Sequence, residues 1–193
     1  MFALYITHPQ VLIDPAVPVP DWALSERGRE RALLAADADW ARQIGRFVAS
    51  TERKAIETAN ILAGGRIPVE TDHAMGENDR SATGFLPPPA FEAAADEFFA
   101  HPETSFRGWE RAVDAQARIV AAVERVLAGH DPTVPIAFVG HGGVGTLLKC
   151  HLKGTPIRRD GDQPGGGGNL FAFRLADRAV TCDWTPIESW KGF

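Results

Sequence analysis

Apolar positions along the chain come in two rhythms. Short runs at 2–6, 46–49 and 134–139 are dense in strand formers and read as strands of a buried sheet. Between them, apolar residues recur at helical spacing. Those at 109, 112, 113, 120, 123, 126 and 127 form the stripe of an amphipathic helix over 109–127. Ala55, Thr58, Ala59 and Leu62 share one face of another helix, which opens at Ser50-Thr51-Glu52 and ends at Gly64-Gly65. Charged and apolar residues alternate from 26 to 43 as in a surface helix, with Ser25 placed to cap its start. Further helices are expected at 91–100 and 144–152, a third strand at 68–71, and a closing hairpin from 170–175 and 180–184 that turns near Asp177.

The connections carry a second layer of information. Prolines at 15, 18 and 20 impose a loop, and residues 76–89 form a long polar, proline-rich stretch without a period, the kind of loop that is more often functional than average. Gly165 to Gly168 read either as a mobile connection or as a substrate loop offering backbone amides. Strands alternating with helices imply an α/β domain with a mainly parallel sheet, whose sites lie beyond the carboxyl ends of the strands. His8 stands there, where Thr7-His8-Pro9 stops the first strand, and so does His141, in the turn Gly140-His141-Gly142-Gly143. If the strands at 2–6 and 134–139 are neighbours, both rings project into one crevice. Taken singly, a histidine at a strand end is more often structural or incidental than catalytic.

Composition narrows the function. The 193 residues suit one domain spanning 1–193, and 45% hydrophobic with 23% charged residues is ordinary for a globular protein. The net charge of −5, without a lysine- or arginine-rich block, argues against nucleic-acid binding, so an anionic substrate must be held locally. Neither a basic leader nor an apolar run long enough to span a bilayer is present, from which a cytoplasmic address and no membrane partner are expected. Cys150 and Cys182 read as reduced structural thiols. His73, His101, His130 and His151 have no metal-ligand spacing, although His73 is close enough to Glu77 to border a pocket there, and neither a metal nor a cofactor is expected. Trp109, Trp184 and Trp190 read as core or rim residues. Oligomeric state is not legible.

Four segments together resemble the histidine phosphatase superfamily, which includes the cofactor-dependent phosphoglycerate mutases. Thr7-His8-Pro9-Gln10 is similar to the family's Arg-His-Gly-Glu/Gln element, and Leu24-Ser25-Glu26-Arg27-Gly28-Arg29 to its Leu-Thr-x-x-Gly-x helix start. The run from Ala49 to Ala59 resembles Ser-Ser-Pro-x-x-Arg-Ala-x-x-Thr-Ala, with Lys54 at the arginine position and Arg53 one place out of register. Glu77, in Met75-Gly76-Glu77, resembles the family's acidic proton donor, and Val139 to Val144 resembles the second histidine's motif. The resemblance implies a three-layer α/β/α sandwich of phosphoglycerate mutase-like fold. It further implies a metal-independent phosphatase that forms a phosphohistidine on His8, with Glu77 exchanging protons with the leaving oxygen and then water.

An imidazole is a competent nucleophile at neutral pH because one ring nitrogen is unprotonated. His141, held protonated, would donate to a phosphoryl oxygen; otherwise it caps the helix or supports from behind. Lys54 either offsets phosphoryl charge or sits on a solvated helix face.

The chain departs from the family pattern at Thr7 and Lys54, which replace two arginines and with them two bidentate phosphate forks. Arg80 or Arg53 would restore the charge if either faces the pocket; otherwise both are surface residues. Gln10 either orients the nucleophile loop or touches substrate, or lies on the loop surface. The leading expectation is hydrolysis of a small phosphomonoester or a protein phosphohistidine. The alternatives are a mutase using the same intermediate, and a catalytically weakened anion-binding or regulatory module of the same fold.

Overall fold

The apolar runs become strands and the striped segments pack on both sides of them. The computed structural model describes residues 1–192. In chain order the elements are β1 (Phe2–Thr7), α1 (Glu26–Ala36), α2 (Asp39–Gln43), β2 (Arg46–Ser50), α3 (Arg53–Ala63), β3 (Val69–Asp72), α4 (Pro88–Ala100), α5 (Ala112–Ala128), β4 (Ile136–Gly140), α6 (Gly142–Leu152), β5 (Asn169–Arg174) and β6 (Val180–Pro186). They form a six-stranded sheet in the order β3-β2-β4-β1-β5-β6. The first four of these strands run parallel, and the hairpin β5–β6 adds an antiparallel edge.

Alternate residues of each central strand face opposite layers. Ala3, Tyr5, Ile136 and Phe138 pack against α4, α5 and α6. Leu4, Ile6, Ala137 and Val139 pack against the layer containing α1, α2 and α3. This is the expected three-layer α/β/α sandwich. The register sets the site: Thr7 pairs with Gly140 and Ala49 with Val139, so β1, β2 and β4 end level with one another at one edge of the sheet.

Several element boundaries differ from the sequence reading, and the helical ones have identifiable causes. The helix expected over 26–43 breaks at Asp37-Ala38, where an extended Ala38 turns the chain so that Trp40, Ala41 and Ile44 enter the core. Asp37 and Asp39 are weak helix formers, and Asp39 is better placed in the first turn of a new helix than inside an old one. α4 begins three residues earlier than expected because proline is tolerated in a first turn. α5 begins at Ala112, after Trp109, whose ring is buried against Phe91 and Phe98 from the preceding turn. The Ser25 cap forms as expected, its Oγ accepting from Gly28 N at 3.1 Å.

Candidate active site

His8 leaves the end of β1 with its backbone fixed from both sides. Its N–H donates to Gly140 O at 3.0 Å and its carbonyl accepts from Gly168 N at 2.9 Å. The second bond brings the glycine run directly onto the His8 backbone. Gly167 has φ +63°, and a Cβ there would lie 2.3 Å from His8 O, so only glycine allows the approach. Of the glycine run, Gly165 and Gly166 are exposed, whereas Gly167 and Gly168 are packed onto the His8–Pro9 backbone. Arg31 secures them, donating to Gly167 O at 2.9 Å and Gly168 O at 3.0 Å while pairing with Glu188.

The imidazole of His8 is half-buried, and its Nδ1 lies 2.8 Å from Pro9 O. A carbonyl can only accept, so Nδ1 carries the proton and Nε2 keeps its lone pair. Burial pushes the pKa of the ring down to about 4, with Lys54 and Arg80 acting in the same direction, and His8 is neutral at physiological pH.

His141 meets it from the neighbouring strand. It is the N-cap of α6, 1% exposed, and its ring centroid is 5.3 Å from that of His8. Nε2 is 2.8 Å from Ser50 Oγ and 3.3 Å from Glu52 Oε1, whereas Nδ1 is buried without a partner among the described residues. Burial drives the His141 pKa below its ordinary value, with Glu52 opposing. The ring is thus on the neutral side, and the protonated state expected of it would depend on the charge of an arriving anion.

Glu52 links the groups at this edge. One carboxylate oxygen approaches His141 and accepts from Glu77 N at 3.0 Å; the other takes the ammonium of Lys54. Burial by itself would raise the Glu52 carboxyl, but His141, Lys54 and the hydrogen bonds outweigh it and hold the group at about 2. Lys54 is buried, and its ammonium also donates to Val19 O at 2.8 Å. Its charge is therefore largely answered within the protein.

Glu77 completes the constellation. Its carboxylate rests on the N-terminus of α6, accepting from Gly143 N at 3.2 Å and Val144 N at 3.0 Å, as well as from Asn78 N at 3.1 Å. Burial raises its pKa above the ordinary carboxyl value, against the pull of Arg80 and of these amides. Arg118 fixes the segment from behind, donating to Ala74 O and Gly76 O at 2.9 Å and to Glu77 O at 3.1 Å while pairing with Glu110.

A cleft of about 650 Å³ opens beside Glu52 and Glu77, lined also by Arg80, His73, Val19 and Arg118; His8 and His141 are not among its lining residues. Arg118 is committed to Glu110 and the carbonyls, whereas the Arg80 guanidinium lies 4.9 Å over the Phe91 ring with no side-chain hydrogen bond among the described residues. The remaining expected binding residues face elsewhere. Thr7 Oγ1 donates to Gln163 Oε1 at 2.6 Å and accepts from Asn169 N at 3.0 Å, which turns the hydroxyl toward β5. Arg53 is exposed and paired with Glu57. Gln10 accepts from Arg31 at 3.1 Å and holds the loop after His8.

Glu52 and Arg118 were not singled out from sequence. Glu52 follows the end of β2 as His8 and His141 follow the ends of β1 and β4, so the same strand-end criterion reaches it. Arg118 carries no such signal. Among the described residues no group of three or more His, Cys, Asp or Glu side chains is placed to hold a metal ion, and no helix is long and apolar enough to cross a membrane.

A family model for the histidine phosphatase superfamily (branch 1) matches residues 16–176, a stretch that contains Lys54, Glu77 and His141 and begins after His8. The chain is similar in structure to mycobacterial glucosyl-3-phosphoglycerate phosphatase in complex with inorganic phosphate, at 23% identity over 98% of this chain and 99% of that one, with a TM-score of 0.78. It is also similar to YhfR of Bacillus stearothermophilus (23% identity, 94% of each chain, TM-score 0.79). The alpha-ribazole phosphatase of Shigella flexneri matches at 18% identity over 95% of each chain, with a TM-score of 0.69. At these identities the likenesses carry the fold. No curated protein sequence matches the chain.

Proposed function

The chain belongs to the histidine phosphatase superfamily, and from that premise we propose that it is a metal-independent phosphatase that hydrolyses a small phosphomonoester through a phosphohistidine on His8. The observation that carries the proposal is the Nδ1 contact of His8 with Pro9 O at 2.8 Å, which leaves Nε2 unprotonated beside His141.

The His8 Nε2 lone pair attacks phosphorus as the bond from phosphorus to the leaving oxygen breaks, and Glu77 passes its proton to that oxygen to release the alcohol. Glu77 then takes a proton from water while the water oxygen bonds to phosphorus and the Nε2–P bond breaks. This returns neutral His8, protonated Glu77 and inorganic phosphate. The raised pKa of Glu77 suits a group that must begin as an acid.

His141 Nδ1, buried and unpartnered, becomes a donor to a phosphoryl oxygen once the ring takes a proton, and Glu52 stabilises the imidazolium so formed. Arg80 is the cleft cation left open to phosphate, in place of the guanidinium forks absent at Thr7 and Lys54.

The test is phosphate release from a panel of phosphomonoesters in the presence of EDTA, comparing wild type with His8→Ala. Release that survives chelation and vanishes in the variant supports the proposal. Equal release by both proteins, or release abolished by EDTA, rejects it. Absence of release on every member favours the weakened anion-binding reading, to which the internal neutralisation of Lys54 by Glu52 already points.

A further inference from the structure

Beside the polar cleft lies a second depression of different character. It measures about 280 Å³, at the lower end of small-ligand sites, and Ile13, Trp22, Phe85, Leu86 and Phe91 supply its apolar wall. The two spaces are contiguous: Val19, Arg80 and Gly84 line both.

The wall is built rather than incidental. Trp22 Nε1 donates to Asp14 O at 2.9 Å and Val17 O at 3.0 Å, which satisfies its polar atom within the proline loop and sets the ring against Phe85, with centroids 5.6 Å apart. Yet Phe85 is 37% and Ile13 55% exposed, so large apolar side chains face solvent at the mouth of an otherwise charged cleft. Arg80 stands at the junction. Its guanidinium lies 4.9 Å over the Phe91 ring and lines both spaces. Glu92 at the groove's rim is paired with Arg159, and Arg80 at the junction is the one cation among the described residues that line the groove, so no further cation is offered there to a second anionic group.

We propose that this groove is the leaving-group subsite, so that the substrate is a phosphomonoester of an uncharged apolar alcohol rather than of a sugar or a second acid. The inference rests on the reading of His8 as phosphoryl acceptor. The phosphoryl group sits by His8 and Arg80, and the chain or ring esterified to it crosses Arg80 into the apolar wall.

The experiment uses n-alkyl phosphates from ethyl to hexyl, whose leaving alcohols differ in apolar area and little in acidity. Binding of the matching n-alkylphosphonates, which cannot be hydrolysed, is measured by calorimetry. Full burial of each methylene is worth about fourfold, so kcat/KM and phosphonate affinity should climb two- to fourfold per carbon until the groove is full. Phe85→Ser and Ile13→Asn, both at exposed positions, should flatten the climb, with melting temperature as the check on folding. A flat series in both readouts while hydrolysis proceeds overturns the subsite and leaves the His8 chemistry standing. A climb untouched by either variant places the apolar contact elsewhere and also overturns it. Phosphonate affinity that climbs and is flattened by the variants, without hydrolysis of any ester, supports the subsite and rejects the hydrolase reading.

Discussion

At the scale of single residues, the proposed chemistry depends on which proton His8 lacks. The Pro9 carbonyl fixes the Nδ1–H tautomer and burial holds the ring neutral down to a pKa of about 4. Nitrogen-detected NMR of His8 should therefore show a protonated Nδ1 and a bare Nε2 from pH 7 to about pH 5, with titration near 4. A midpoint in the ordinary histidine range, or the opposite tautomer, would remove the basis for Nε2 attack.

The Glu52 and Lys54 pair belongs to the same scale. Both are shielded from water, so removing one partner strands the other; breaking such a pair costs about 3–5 kcal/mol. Lys54→Met is expected to lose at least about 3 kcal/mol in urea unfolding, and the double variant with Glu52→Gln much less than the sum of the two singles. Additive losses would show that the pair is not coupled.

At the scale of elements, the site is an alignment of strand ends with a helix start. β1 delivers His8, β4 and α6 deliver His141, and the first turn of α6 holds the carboxylate of Glu77. Gly143 makes the last contact possible, since a Cβ there would lie 2.8 Å from Glu77 Oε1. Gly143→Ala keeps helical backbone geometry and displaces only the carboxylate. It should lower kcat/KM for alkyl phosphates, which reports the steps up to release of the alcohol, tenfold or more, within the roughly 10²–10⁴-fold worth of general acid catalysis, and kcat/KM for nitrophenyl phosphate far less. A uniform loss on both substrates would mean that Glu77 is not the proton donor.

The elements were legible where pattern and packing agree. Strand ends followed by proline or by glycines placed His8 and His141, because such residues stop a strand whatever lies around it. Side-chain direction was less legible. Glu52 is the N-cap of α3 in extended geometry, which throws its carboxylate back over the cleft, while the sequence only marks it as part of a helix start. Lys54 reads either as a cation offsetting phosphoryl charge or as a solvated helix position, whereas its buried ammonium is taken by Glu52 and by Val19 O in the proline loop. Thr7 turns to Gln163 and Asn169, partners more than 150 residues away that no local pattern reveals.

At the scale of the whole molecule, the buried histidines couple folding to pH. Both have folded pKa values below the unfolded one, so between the ordinary histidine pKa and about 4 the unfolded chain binds more protons than the folded one. Their contribution to stability is full at pH 7 and is lost as pH falls through that window. Glu77 acts oppositely, its raised pKa making the folded state the better proton binder just above the ordinary carboxyl range. The net expectation is an uptake of one to two protons on unfolding near pH 5.5, seen as a falling urea midpoint between pH 7 and pH 5. A pH-independent midpoint over that interval would contradict the burial of both rings.

The sheet order was legible as a class, four parallel strands following from alternating strands and helices. What the sequence does not convey is that Gly167 and Gly168 return to the His8 backbone, because the approach is made by glycines that carry no pattern of their own. His8 is thus held from both sides of the sequence: by β1, by the Gly167–Gly168 turn, and by Arg31 tied to Glu188.

The most direct test of the account is chemical trapping of the intermediate. Wild type, the His8→Ala variant and the Glu77→Gln variant are mixed in EDTA with an alkyl phosphate or with nitrophenyl phosphate, whose leaving group needs no proton, quenched in alkali within the first turnovers, and analysed by intact and peptide mass. The account predicts an acid-labile, alkali-stable phosphoryl group on His8 in wild type and none in His8→Ala. It also predicts accumulation of that group in Glu77→Gln with a good leaving group, because the second step then lacks its base. Turnover without phosphorylated His8, or a phosphoryl group on another residue, would contradict it.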